Sequence, residues 1–143
     1  MTPIRRSRPD EADAMFTIWF RAVTATHTFL SDDDLAYFVA LMRTYLPTST
    51  FWVADIAGSV VAFLALTDAY VDALFVDPGH HGAGIGRELI EHARDLAGPL
   101  TVDVNEQNTG ACAFYNRVGF HQVGRSELDD YGKPYPILHL AQR

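Results

Sequence analysis

The segment Val76-Asp-Pro-Gly-His-His-Gly-Ala-Gly-Ile-Gly-Arg87 is the densest candidate for chemistry in the chain. Gly82, Gly84 and Gly86 alternate with Ala83 and Ile85 just ahead of Arg87. Without side chains at these positions, successive backbone N–H groups can face one anion, and a helix starting there adds its positive end. Such a loop cradles phosphate. The competing reading is a flexible turn with a glycine cap. Two nucleotide loops fail outright. A Walker loop needs Lys-Ser/Thr after its last glycine, and neither Gly84-Ile85 nor Gly86-Arg87 supplies it. The dinucleotide fingerprint Gly-x-Gly-x-x-Gly meets Arg87 when started at Gly82 and Leu89 when started at Gly84.

A second motif follows, Asn108-Thr-Gly-Ala-Cys-Ala-Phe-Tyr-Asn-Arg-Val-Gly-Phe120. Asn108 suits the N-cap of the helix it opens. Phe114 and Tyr115 are adjacent on that helix, so one ring can pack in the core while the other reaches a cleft. Taken alone, such a pair is more often core than chemistry.

The elements around these motifs read clearly. Thr2–Arg8 alternates weakly as a first strand, and Pro9-Asp10 opens a helix carrying Met15, Ile18, Trp19 and Val23. A second helix starts at Ser31, with Asp34 three residues on and Leu35, Phe38, Val39 and Met42 on its face. The break at His27–Leu30 leaves open whether the two are one bent element. Phe51–Asp55, Ser59–Thr67 and Tyr70–Val76 read as strands, turned at Ala57-Gly58 and Asp68-Ala69. Gly84–Ala97 is a helix with Ile85, Leu89, Ile90, Ala93 and Leu96 on one side, stopped by Gly98-Pro99. Leu100–Val104, Thr109–Arg117, Gly119–Arg125 and Ile137–Ala141 complete the order as strand, helix and two strands. That order, β-α-α-β-β-β-α-β-α-β-β, describes an α/β domain with antiparallel strands around a central βαβ unit.

Composition limits the partners. A chain of 143 residues fits one domain, residues 1–143. Its longest apolar run, Val60–Leu66, falls far short of the roughly 20 residues a membrane span needs. No membrane association and no secretory leader are expected. Eleven basic against 18 acidic residues give a net charge of −7, which disfavours nucleic acid and favours a cationic substrate. The single cysteine, Cys112, leaves no internal disulfide and no cysteine-based zinc cage, and it suits the cytoplasm. No metal is expected.

The two motifs together resemble the GNAT superfamily of N-acyltransferases. Its acyl-CoA loop reads Gln/Arg-x-x-Gly-x-Gly/Ala after a strand ending Val-x-Pro, here Val76-Asp77-Pro78 with Gly84 and Gly86. His81 stands where Gln or Arg is usual, which replaces a permanent charge by a neutral imidazole. The second half of the pattern, Asn-x-x-Ala-x-x-Phe-Tyr-x-x-x-Gly-Phe, is matched throughout from Asn108 to Phe120. Within the superfamily, Asn105–Asn108 and Gly124–Pro136 resemble the small bacterial YjaB-type acetyltransferases.

The resemblance implies a mixed, mostly antiparallel sheet with a central βαβ acyl-CoA-binding unit flanked by helices. It implies acetyl-CoA as co-substrate, held by the strand backbone at Leu74, Phe75 and Val76 and by the loop His81, Gly82, Ala83, Gly84, Ile85, Gly86 and Arg87, with Asn108 and Tyr115. An amine attacks the thioester directly, the Val76 N–H stabilises the oxyanion, and Tyr115 protonates the departing thiolate. Asp72 is the first choice of base, with Asp103 and His27 as rivals. Trp19, His27 and Phe29, together with Tyr131 and Tyr135, are candidates for the acceptor wall, and the aspartates beside them suit an ammonium. The acceptor is then a small-molecule or peptide amine, and the protein a monomer or homodimer. The competing class is a CoA-sensing module without turnover.

Overall fold

The computed structural model describes residues 2–26 and 28–143. Its order is β1 (Ile4–Arg6), α1 (Ala12–Thr26), α2 (Asp32–Tyr45), β2 (Trp52–Ile56), β3 (Ser59–Thr67), β4 (Tyr70–Val76), α3 (Ile85–Ala97), β5 (Thr101–Asn105), α4 (Thr109–Arg117), β6 (Phe120–Ser126) and β7 (Ile137–Gln142). Short 3₁₀ turns cover Pro9–Glu11, Leu46–Thr48 and Pro78–His80. The strands hydrogen-bond in the order β1-β2-β3-β4-β5-β7-β6. Of the pairs with recorded register, only β4 with β5 is parallel, over Tyr70–Thr101 and Val71–Val102.

The chain divides into two compact units, one of residues 1–65 and 73–89, the other of residues 66–72 and 90–143. In the first, the apolar face of α1 supplies Met15, Ile18, Trp19 and Val23 to a core with Leu46, Phe51, Val53, Phe63 and Ala65. Leu35, Phe38, Val39 and Met42 of α2 pack against that core while remaining half-buried. Ser31 caps α2, its hydroxyl accepting from the Asp34 N–H at 3.1 Å, so the two helices are separate elements. The hairpin between β2 and β3 turns on Ala57 and Gly58, both at positive φ (52° and 87°), the pairing of signs a two-residue turn requires.

In the second unit, β5 alternates strictly. Val102 and Val104 are buried, while Thr101, Asp103 and Asn105 take the opposite face. Antiparallel pairing with β7 sets Asp103 against His139 and Thr101 against Ala141, and β6 pairs along the other side of β7. Leu96 is exposed, although it lies seven residues after the buried Leu89. The packing surface of α3 therefore ends before its last turn, which Gly98 closes at φ +81°.

Candidate active site

The first unit carries the glycine loop. Asp77 anchors its entry. The Asp77 N–H donates to Val61 O at 2.8 Å, and its carboxylate meets the Arg21 guanidinium at 2.7 Å and His80 Nδ1 at 3.4 Å. A β carbon at Gly79 would lie 3.1 Å from Asp77 Oδ2, so a side chain there would press on this carboxylate. Sequence reading passed over Asp77; the Asp-Pro-Gly turn was the available signal. Beyond it, Gly82 and Gly84 both sit at left-handed φ (+81° and +80°), and a β carbon on either would meet nothing within 4 Å. Glu88 N–H donates to Gly84 O at 3.0 Å, the i→i−4 bond that opens α3. The N–H groups of Ile85, Gly86 and Arg87 precede that ladder. The loop therefore offers an open cradle and a run of donors, which fits an anion such as a pyrophosphate.

His81 turns back into its own loop. Its Nε2 lies 3.1 Å from Val76 O. A carbonyl only accepts, so Nε2 carries the proton and a neutral ring shows its Nδ1 lone pair elsewhere. An anion in this loop would meet the backbone donors, with the His81 Nε2–H already engaged. Leu74, Phe75 and Val76 are half-buried at the end of β4. Trp19, a candidate for the acceptor wall, is 5% exposed and belongs to the core. Phe29 is half-buried between α1 and α2, and His27 lies outside the described residues.

The second unit carries Tyr115, which is 7% exposed on α4. Its ring stands edge-on to Phe120 (centroids 5.2 Å, 75°) and to Phe114 (5.2 Å, 69°). Burial, with the Tyr70 charge second, holds its phenol far above the ordinary tyrosine range, so it stays protonated at neutral pH. Asn108 caps α4, Oδ1 accepting from the Ala111 N–H at 3.1 Å. Burial likewise raises the Cys112 thiol, so thiolate chemistry there is suppressed. Tyr131 is exposed and Tyr135 buried, both in the segment between β6 and β7.

Asp72, the first choice of base, is exposed, and its carboxylate accepts from the Thr67 hydroxyl at 2.6 Å across the β3–β4 turn. Its rival Asp103 belongs to an extended network. Asp103 Oδ2 accepts from the Tyr70 hydroxyl at 3.0 Å, Oδ1 meets His139 Nδ1 at 2.6 Å, and His139 Nε2 meets Ser126 Oγ at 2.7 Å. Burial first, then the Asp103 carboxylate, raise the Tyr70 phenol well above its usual range, with Asp130 and Asp72 adding to the effect. His139 stands in no motif, and the Gly124–Pro136 stretch gives Ser126 no role of its own; their placement on facing strands reveals them.

A mixed sheet with one short parallel pair, a left-handed glycine loop on the strand-to-helix turn and a buried tyrosine on the next helix define the GNAT class. Residues 47–122 match the acetyltransferase (GNAT) domain family. The chain is 49% identical over 139 residues to the peptidyl-lysine N-acetyltransferase YjaB of Escherichia coli, covering 96% of this chain and 95% of that protein. The solution structure of the apo form of that protein superposes with a TM-score of 0.94 at 48% identity, covering 99% and 97% of the two chains. The PaiA N-acetyltransferase of Thermoplasma acidophilum in complex with coenzyme A shares the fold, with a TM-score of 0.81 at 14% identity over 100% and 99% of the chains. The chain belongs to the GNAT acetyltransferases, of the small bacterial YjaB type, and acetyl transfer rather than CoA sensing is its activity. Among the described residues no helix is long and apolar enough to cross a membrane.

Proposed function

We propose that this acetyltransferase takes its acetyl group from acetyl-CoA and delivers it to the ε-amino group of a lysine in a peptide. One observation carries the donor half. Gly82 and Gly84 hold a left-handed, open loop directly ahead of the unladdered N–H groups of α3, which suits a pyrophosphate. The coenzyme A complex of PaiA supports the same assignment. The acceptor half rests on the YjaB relative, a peptidyl-lysine N-acetyltransferase. The chain's net charge of −7 agrees with a cationic acceptor.

An acetyl thioester supplies an activated carbonyl and a leaving thiolate. The residues of this chain divide the remaining work. The loop backbone from Gly82 to Arg87 binds the phosphates, and Leu74–Val76 present strand N–H and C=O groups to the pantetheine. The Val76 N–H supports the oxygen that gains charge. Tyr115, kept protonated by its burial, donates to the departing sulfur. Incubation with acetyl-CoA and a capped Gly-Lys-Gly peptide, followed by CoA release and peptide mass, tests the assignment. Equal amounts of free CoA and a +42 Da peptide are expected. CoA release without peptide modification would refute the acceptor.

A further inference from the structure

A β-bulge brings an uncommon set of side chains onto one face of the sheet. On β6, Gln122 pairs with Leu140 and Gly124 with His139, leaving Val123 as the extra residue. Before the bulge, even-numbered residues of β6 oppose the buried side of β7. After it, Gly124 and Ser126 oppose His139 and Ile137, on the face that carries Asp103. Without the inserted residue, alternation would send Ser126 to the other side. Gly124 then makes room. A β carbon there would lie 3.3 Å from His139 Cδ2 and 3.6 Å from its Cβ. The imidazole can lie across Gly124 and reach Ser126 two residues along.

We propose that Ser126, His139 and Asp103 form the exit path for the proton that the acceptor ammonium must lose before it attacks. This rests on the lysine-acceptor reading above. A carboxylate only accepts, so in the neutral imidazole Nδ1–H donates to Asp103 and Nε2 accepts the Ser126 hydroxyl proton. The Ser126 lone pairs remain to accept from an ammonium. One proton passes from the ammonium to Oγ as the hydroxyl proton passes to Nε2. The amine is left neutral, the serine unchanged and the imidazole cationic beside Asp103. Loss of that proton to water restores the start. The set is open to solvent, with side-chain exposures of 36% for His139 and 28% for Asp103, as a path that must discharge protons requires. Among the described residues, Tyr70 and Asp72 of β4 and His121 of β6 also stand on this face, with Asp130 acting on Tyr70. Asp103 and Gly124 are positioning residues.

The experiment is the pH profile of acetyl transfer to the capped Gly-Lys-Gly peptide. His139→Gln should lower kcat at pH 7 by 10²–10⁴-fold, the range for a lost proton acceptor, with the KM for acetyl-CoA unchanged. The deficit should shrink about tenfold per pH unit and vanish near pH 10, where the lysine deprotonates unaided. Asp103→Asn should behave alike. Ser126→Ala should lose at least tenfold, and Ser126→Thr, which retains a hydroxyl, should recover most of it. The serine pair decides the matter if His139→Gln does not fold. Gly124→Ala should reproduce the His139→Gln profile in milder form. A wild-type profile in the His139 or Ser126 variants overturns the proton path and leaves the acyltransfer reading standing. An acetyl group on Ser126 that forms at the turnover rate also overturns it, because the serine would then be the nucleophile. If the wild type transfers to no lysine peptide, the acceptor reading fails and the path with it.

Discussion

Tyr115 and Gly84 are the single positions on which the proposed chemistry can be tested most directly. Gly84 holds φ at +80° in open space, so a side chain there meets no clash but must occupy the left-handed region. That conformation costs an L-residue about 1–2 kcal/mol, and more when β-branched. Gly84→Val should therefore weaken CoA binding tenfold or more by calorimetry, while His81→Ala should change it little, since that ring already donates to Val76 O. Unaltered affinity in the glycine variant would remove the loop from the donor site. Tyr115→Phe should lower kcat by 10²–10⁴-fold with CoA affinity retained. A kcat equal to wild type would leave Tyr115 as packing against Phe114 and Phe120. Cys112→Ala should be almost silent, because direct transfer uses no acyl-cysteine. The proposed donor-side residues could be picked out in the sequence because each motif is contiguous, its spacing fixed by one loop or one helical turn. Asp103 was legible as a rival base, but its partners Ser126 and His139 were not, since the three lie on three strands and only pairing plus one bulge aligns them. Asp72 drew attention by its place on a strand, but no local pattern shows that Thr67 occupies its carboxylate.

At the scale of elements, the order and type of the helices and strands followed from periodicity and turn chemistry, while the separation of α1 from α2 was settled by the Ser31 cap. β3, β4 and α4 begin and end where alternation and capping place them. The differences lie at margins. β1 is shorter than its alternating stretch because ladder pairing covers only Ile4–Arg6, although Ser7 N–H still reaches Phe51 O at 2.7 Å. No pattern announces what fixes the entry to α1. Glu11 takes two hydrogen bonds from the Arg5 guanidinium, at 2.9 and 2.7 Å, and a third from the Arg8 N–H at 2.7 Å. The Arg5 hydrogen bonds, outweighing burial, hold the Glu11 carboxyl down at about 2, against an ordinary 4.5. A depressed carboxyl stabilises the fold above its unfolded value and loses that contribution as pH falls through the folded one. The window therefore runs from about pH 4.5 down to about 2. Glu11→Gln should cost about 1.5–3 kcal/mol at pH 7, the worth of hydrogen bonds to a charged group. The gap in Tm between variant and wild type should close as pH approaches 2. A constant gap across that range would mean the carboxylate charge contributes nothing to the fold.

The whole molecule carries a net charge of −7, and that field would act on the two proposed substrates with opposite sign. A lysine peptide is drawn toward a negative protein, whereas the phosphates of acetyl-CoA are repelled at long range and captured only by the local donors of the glycine loop. Screening should separate the two effects. The Debye length falls from about 10 Å at 0.1 M salt to about 3 Å at 1 M, which removes steering between exposed charges and spares short-range hydrogen bonds. Raising salt across that range should increase the KM for a lysine peptide flanked by arginines several-fold. The KM for acetyl-CoA should hold steady or fall. A peptide of equal length flanked by aspartates should start from a higher KM and improve with salt, because its own repulsion is screened. The kcat should change little for either, since proton loss and attack occur between groups already in contact. Steady-state assays with both peptides at the two salt concentrations decide the point. Identical salt responses from the two peptides would show that net charge plays no part in acceptor choice, and selection would then rest on the residues that touch the lysine itself.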